Sequence, residues 1–325
     1  MTPTAYDIIP DIHGQHARLE ATLGALGYRE RGGAWRHDDG GRTALFLGDL
    51  IDGTGEDAAT LDLVRRMVGE GRARAILGNH ELNAVMFHTP HPETGEPLRP
   101  HSAKNLRQHA SFLRDHPVGS AAASDAIAWM RTLPLFLELG SFRLVHACWD
   151  EGAIARLREA TGHGGAGEGT LSEAQFVEAA DLDGPLGEDV ETVCKGPEHE
   201  LPDGHAFHDK NGERRTSVRL AWWRPDARTW REAAMSVPDP TELPDAPLPP
   251  ECASAIYPAN APPVLFGHYW LTGAPELLAP NAACLDHSAG KGGPLVTYLM
   301  EPDALDPARA LEPGRLRVDG CEIGA

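Results

Sequence analysis

The stretch Arg42-Thr43-Ala44-Leu45-Phe46-Leu47-Gly48-Asp49-Leu50-Ile51-Asp52-Gly53 decides the fold. Its first half is an apolar run of strand length, as expected of a strand buried on both faces. The run closes on Gly48 and a carboxylate. Asp57 to Glu70 then carries Leu61, Val64, Met67 and Val68 at helical spacing. The same order of strand, polar motif and helix recurs upstream. There Tyr6 to Pro10 leads into Asp11-Ile12-His13-Gly14, then Leu19, Leu23 and Leu26, with Gly27 as a stop signal. Downstream, Ala73 to Leu77 leads into Gly78-Asn79-His80-Glu81. This rhythm predicts βαβ units and a largely parallel sheet.

Two further motifs follow the same rule. Leu135 to Leu139 and Phe142 to Ala147 predict paired strands joined at Gly140-Ser141, the second carrying Val145-His146-Ala147. Val264 to Phe266 predicts a strand ending on Gly267-His268. Strands are also expected at Ala283 to Asp286 and Leu295 to Met300, with an edge strand at Arg315 to Val318. Helices are expected at Ser102 to Leu113, Ser124 to Leu133, Asp150 to Ala160 and Ser172 to Ala180. All five polar motifs therefore fall at or near the C-terminal ends of predicted strands, where open α/β sheets bind ligands.

The residues gathered there are the donors two divalent ions need. Asp11 and His13, one residue apart on a loop, can face one ion. Asp49 has two oxygens and can give one to each ion. Ions bridged about 3.5–4 Å apart polarise a shared water and clamp phosphoryl oxygens. Asn79 offers an uncharged oxygen, and His146 and His268 complete the second ion's shell. His80 diverges from its neighbour Asn79 and is better cast as a general acid, oriented by Asp52. Such a set points to phosphate-ester hydrolysis.

These motifs resemble those of calcineurin-like metallophosphoesterases. The nearest branch holds serine/threonine phosphoprotein phosphatases, diadenosine tetraphosphatases and the phosphatase domain of bacterial polynucleotide kinase-phosphatases. The likeness covers most of residues 5 to 150 and 263 to 300, where Cys284-Leu285-Asp286 and Gly292-Gly293 resemble the family's C-terminal sheet segment. It implies a four-layer α/β/β/α sandwich. It also implies one ion on Asp11, His13 and Asp49, and a second on Asp49, Asn79, His146 and His268. His80 and Asp52 become the catalytic pair. Ligands of this kind, without thiolate, suit manganese, with iron or zinc as alternatives.

Two positions depart from the family pattern. Pro10 replaces the usual Gly of the first motif, and Gly53 stands where the phosphatase branch carries an Arg that grips phosphate. A phosphate dianion still needs cationic donors. The candidates are Arg99, Lys104 and Arg107 after the third motif, and Lys195, Arg215 and Arg219 further on. The leading expectation is a phosphomonoesterase acting on a phosphorylated protein or small molecule. A dinucleoside polyphosphate hydrolase and a nucleic-acid end phosphatase are the alternatives. A catalytically retired metal-binding regulator is the rival from another class, supported only by Gly53.

Composition bounds the rest. The 325 residues suit one large domain, 1–325, and the net charge of −19 argues against broad attraction to nucleic acid or anionic membrane. Met1 to Tyr6 leaves no room for a secretory signal, and no apolar run approaches a membrane span. Five scattered cysteines without a CxxC suggest reduced thiols, and hence a cytoplasmic protein. Residues 183–263, rich in Pro, Gly and acidic residues, read as an inserted irregular cap that selects substrate. Trp222 and Trp223 are expected to pack it onto the core rather than to stack on a base, and His88, His91 and His101 to be loop histidines.

Overall fold

Ile8 and Ile9 are neighbours, both fully buried, and they lie in two different cores. Successive strand side chains point to opposite faces, so the strand Ala5–Ile9 is covered on both sides. Leu45 joins the core of Ile8, whereas Ala44 and Phe46 join that of Ile9. Leu144 and Leu265 likewise part from Val145 and Phe266. The first core thus lies between two facing sheets, and the second lies on their outer faces, under helices. The chain forms the expected α/β/β/α sandwich. The computed structural model describes residues 5–162, 169–210, 212–301 and 310–323. The reading of Met1 to Thr4, and of 302–309 in the tail, falls outside them.

The first sheet runs in the order Cys321–Glu322, Leu316–Val318, Val296–Met300, Ala5–Ile9, Arg42–Phe46, Ala73–Ala75. Its last three strands are parallel, and Val296–Met300 is antiparallel to Ala5–Ile9, with Tyr298 opposite Ile8. The second sheet runs Ala282–Cys284, Val264–Phe266, Arg143–Val145, Phe136–Glu138. Its first three strands are parallel and its last pair is antiparallel. Both sheets are therefore mixed, where the strand–motif–helix rhythm predicted a largely parallel one. Short turns make two of the reversals, at 139–142 and at 319–320, since parallel neighbours need long crossovers. One of these turns, Asp319-Gly320, has both residues at positive φ and adds Cys321–Glu322 outside the strand expected at the edge.

Helices His16–Ala25 and Asp57–Gly69 cover the first sheet through Leu19, Leu23, Leu61, Val64 and Met67. Glu151–Ala160 starts where the Asp150 carboxylate accepts the Ala153 N–H at 2.7 Å. With Pro185–Lys195 it places Ile154, Leu157, Val190 and Val193 in the same outer core as Val145. The helix expected over Ser102 to Leu113 is two, Ala103–Gln108 and Ala110–Asp115, broken at His109.

The 183–263 segment holds more regular structure than its composition suggests. It contains a three-stranded sheet of Ala234–Met235, Ser217–Leu220 and Glu198–Glu200, and a small core around Val218, Leu220, Trp230 and Leu243. Trp222 and Trp223 belong to the main core instead. Both are buried against Phe266, and the Trp222 indole N–H donates to the Ala147 carbonyl at 3.0 Å. Among the described residues every cysteine is free, and no helix is long and apolar enough to cross a membrane.

Candidate dinuclear metal centre

Each motif begins its work just past a strand. Asp11, Asp49, Asn79, His146 and His268 lie within four residues of the ends of Ala5–Ile9, Arg42–Phe46, Ala73–Ala75, Arg143–Val145 and Val264–Phe266. Both sheets thus deliver donors to one rim. The backbone is left-handed at His13 (φ 50°), Asp49 (51°), Asp52 (66°) and His268 (74°). Non-glycine residues hold that conformation at a cost, which the surrounding structure must sustain. Gly48 (φ 90°) lets two loops meet, because a Cβ there would lie 2.4 Å from the Gly78 nitrogen. That approach brings Asp49 beside Asn79.

The donors converge in a dry site. Asp11, His13, Asp49 and His146 are essentially inaccessible to solvent. One ligand atom from each of His13, Asp49 and His80 lies within 4.8 Å of the others, and the same holds for Asp49, His146 and His268. Asp49 is common to both groups. The Nδ1–H of His13 donates to the Ile51 carbonyl at 3.0 Å, and that of His146 to the Leu47 carbonyl at 2.7 Å. The His268 Nδ1 stands 2.7 Å from the Asn79 side-chain oxygen. The bonds of His13 and His146 to backbone carbonyls fix their tautomers and turn an Nε2 lone pair inward. His146 Nε2 stands 3.4 Å from Asp49 and 3.1 Å from the Asn79 oxygen.

This arrangement fits a pair of cations. Asp11 Oδ1, His13 Nε2 and His268 Nε2 are buried with no hydrogen-bond partner among the described residues. Asp11, Asp49, Glu81 and Asp286 bury four carboxylates together, and buried charge demands compensation. Burial, Asp286 and Asp49 push the Asp11 carboxyl well above its usual range. His146 is pushed the other way: burial opposes its charged form, but Asp49 and Asp11 outweigh burial and raise it to about 10. Both shifts mark a place that pulls for the positive charge a divalent ion carries. Burial keeps His13 neutral, at about 4, as a ligand must be. Asp11, His13 and Asp49 would hold one ion, and Asp49, Asn79, His146 and His268 the other.

His80 is arranged differently. Its Nδ1–H donates to Asp52 Oδ2 at 2.9 Å, and its Nε2 stands 3.9 Å from Asp49. Burial disfavours its charged form, but Asp49 and Asp52 prevail and raise it to about 9. Its Nδ1–H is held by a carboxylate, where His13 and His146 are held by backbone carbonyls, and that partner suits a proton donor.

The cationic candidates separate. Arg219 lies near enough to His268 for its charge to help burial and His146 lower that ring, and its buried Nε has no hydrogen-bond partner among the described residues. Arg107 lines a cleft of about 370 Å³ with Asp52, Gly53 and Thr54. Arg99 is half-buried and donates to Asn83, Asn105 and Gln108. Lys195 pairs with Glu191, Arg215 with Asp209 and Glu213, and Lys104 is exposed. Gly53 is locked, since a Cβ there would lie 2.1 Å from the His13 carbonyl oxygen.

Several residues escaped sequence reading. Glu81 accepts the backbone N–H groups of Asp49 and Leu50, both at 2.8 Å, and that of Gly78 at 3.1 Å. Asp286 accepts those of Trp270 and Ser288, at 2.7 and 2.9 Å, fixing the loop after His268. The Trp270 ring stacks 4.8 Å from His13, and the Lys291 amine sits 3.8 Å from its centroid. His109 donates Nδ1–H to the second oxygen of Asp52 at 2.8 Å. A polar residue ending an apolar run was the signal for the ligands; these supports lack it.

Two facing mixed sheets, with candidate ligands for two metal ions on their shared rim, define the class. The chain belongs to the calcineurin-like phosphoesterase family, which it matches over residues 6–268. It is similar to the asymmetrical bis(5'-nucleosyl)-tetraphosphatase PrpE of Bacillus subtilis, at 37% identity over 76 residues, 23% of this chain and 31% of that protein. It is also similar to the symmetrical bis(5'-nucleosyl)-tetraphosphatase of Methylococcus capsulatus, at 29% identity over 157 residues, 46% of this chain and 47% of that one. The chain thus spans less than half the length of these relatives. A mutant cold-active protein tyrosine phosphatase shares the fold, with a TM-score of 0.51 at 15% identity, covering 99% of this chain and 80% of that one.

Proposed function

We propose that the protein is a metal-dependent phosphomonoesterase in which His80, held by Asp52, protonates the leaving oxygen. The observation that carries this reading is the 2.9 Å His80–Asp52 bond beside the shared carboxylate Asp49. Two divalent ions, manganese first among them, would supply Lewis acidity and an activated water. Asp49 would hold them side by side, and buried walls would exclude bulk water. Arg219 and Arg107 would bind the phosphoryl oxygens that the family's usual Arg, absent at Gly53, would otherwise meet. An alkoxide leaves poorly without a proton, and this makes His80 worth its place.

A second reading, hydrolysis of a dinucleoside polyphosphate, is favoured by the relatives' names and by Lys291 beside Trp270. Lys210 is close enough to help burial lower the Lys291 ammonium, against Asp286, so a second cation lies near Lys291. Turnover of an alkyl phosphate, a phosphopeptide, a 3′-phosphate oligonucleotide and diadenosine tetraphosphate, each with manganese, separates the readings. Faster turnover of monoesters supports the first, and of the tetraphosphate the second. No turnover of any of them with manganese, iron or zinc would overturn both.

A further inference from the structure

Asp52 does not serve His80 alone. Its second oxygen accepts the Nδ1–H of His109, and the carboxylate is 2% exposed between the two rings. We propose that His109 is a positioning residue: it fixes the Asp52 carboxylate, and through it the direction in which His80 presents its proton. The inference rests on reading His80 as the acid.

The geometry gives this role a direction. An ionised carboxylate only accepts hydrogen bonds, so both histidines donate Nδ1–H to Asp52. His109 Nε2 then faces His88 Nε2 at 3.3 Å. If His88 donates there, both ring nitrogens of His109 have a partner. His88 is suited to that, because burial above all lowers it, to about 4, and leaves it an uncharged N–H donor. The His109 Nδ1–H then orients Asp52 through one directed hydrogen bond, a geometry that a flexible lysine would not reproduce.

The ring of His109 is itself held. It sits at the break between helices Ala103–Gln108 and Ala110–Asp115 and stacks on the buried Phe112 ring at 4.7 Å. His116 stacks on Phe112 in turn, at 4.3 Å. Without His109, Asp52 Oδ1 would lose this partner in a nearly dry site, and the carboxylate could turn away from His80.

The test compares His80→Asn, His109→Ala and His109→Asn on an alkyl phosphate and on p-nitrophenyl phosphate, whose leaving group departs without a proton. His80→Asn should cost about 100-fold in kcat on the alkyl ester and far less on the aryl ester. His109→Ala should repeat that bias at about tenfold, with KM and bound manganese unchanged. His109→Asn, whose amide N–H replaces Nδ1–H, should restore most of it. Equal losses on both substrates, or no restoration by Asn, would overturn the positioning role. If His80→Asn itself shows no bias, the acid reading fails, and a second measurement judges His109 alone. In ¹⁵N-labelled protein the His80 Nδ1–H resonance should move in His109→Ala and return in His109→Asn; an unmoved resonance refutes the inference.

Discussion

Glu81 holds Asp49 by the backbone: its Oε2 accepts the Asp49 N–H at 2.8 Å, and its Oε1 accepts the Leu50 N–H at the same distance. The shared carboxylate of the site is thus aimed by a residue that is no ligand in the proposed centre. Glu81 is fully buried, so removing it strands several N–H groups without water. Glu81→Ala should therefore cost about 2–4 kcal/mol of stability and lower manganese occupancy. Thermal melting and metal analysis check this. A variant with wild-type melting and metal content would contradict it.

Gly53 tests whether the missing Arg was lost or is forbidden. A Cβ at this position would meet the His13 carbonyl oxygen at 2.1 Å and the His13 Cβ at 2.6 Å. Gly53→Arg should then push His13 out of line and reduce metal binding rather than tighten phosphate binding. Gly53→Ala should do the same more mildly, because the clash starts at Cβ. The measurement is metal stoichiometry by elemental analysis. Full occupancy with a lowered KM would show instead that this loop yields freely.

Arg219 lies near His268, and Arg107 lines a cleft with Gly53. A hydrogen bond to a charged group contributes about 1.5–3 kcal/mol. Each Arg→Ala change should thus lower kcat/KM by roughly 10- to 100-fold, and a melting curve of each variant separates a lost phosphate contact from lost stability. If both grip phosphate at separate points, the double variant should lose the product of the two factors. Loss confined to one variant would assign the phosphate to that side.

Strand, motif and helix were legible because each follows from a local pattern. Arg42 to Leu47 reads as a buried strand, and Asp49 after it reads as a ligand, whatever the rest of the chain does. Strand direction was less legible, since it depends on connections such as Asp319-Gly320, where two positive-φ residues turn the chain back. The supports were least legible. Glu81 and Asp286 act on backbone N–H groups, and no residue type announces which N–H group lies opposite. His109 sits in an amphipathic stretch that reads as one continuous helix, and only the break there turns its ring to Asp52.

His88 gives the fold a pH signature away from the candidate ligands. Burial first, and then His109, His101 and His116, lower it from its ordinary 6.5 to about 4. Between those values the unfolded chain binds a proton at this position and the folded chain does not. Stability from this group is therefore complete above about pH 6.5 and is lost progressively as pH falls toward 4. His88→Gln keeps an N–H donor for His109 Nε2 and removes the titration. The melting temperature of wild type should accordingly fall faster than that of His88→Gln between pH 7 and pH 5, other groups cancelling in the comparison. Parallel curves would mean that His88 takes up its proton as readily in the folded protein as in the unfolded chain. His88 could not then be an uncharged donor to His109 across the 3.3 Å contact at those pH values.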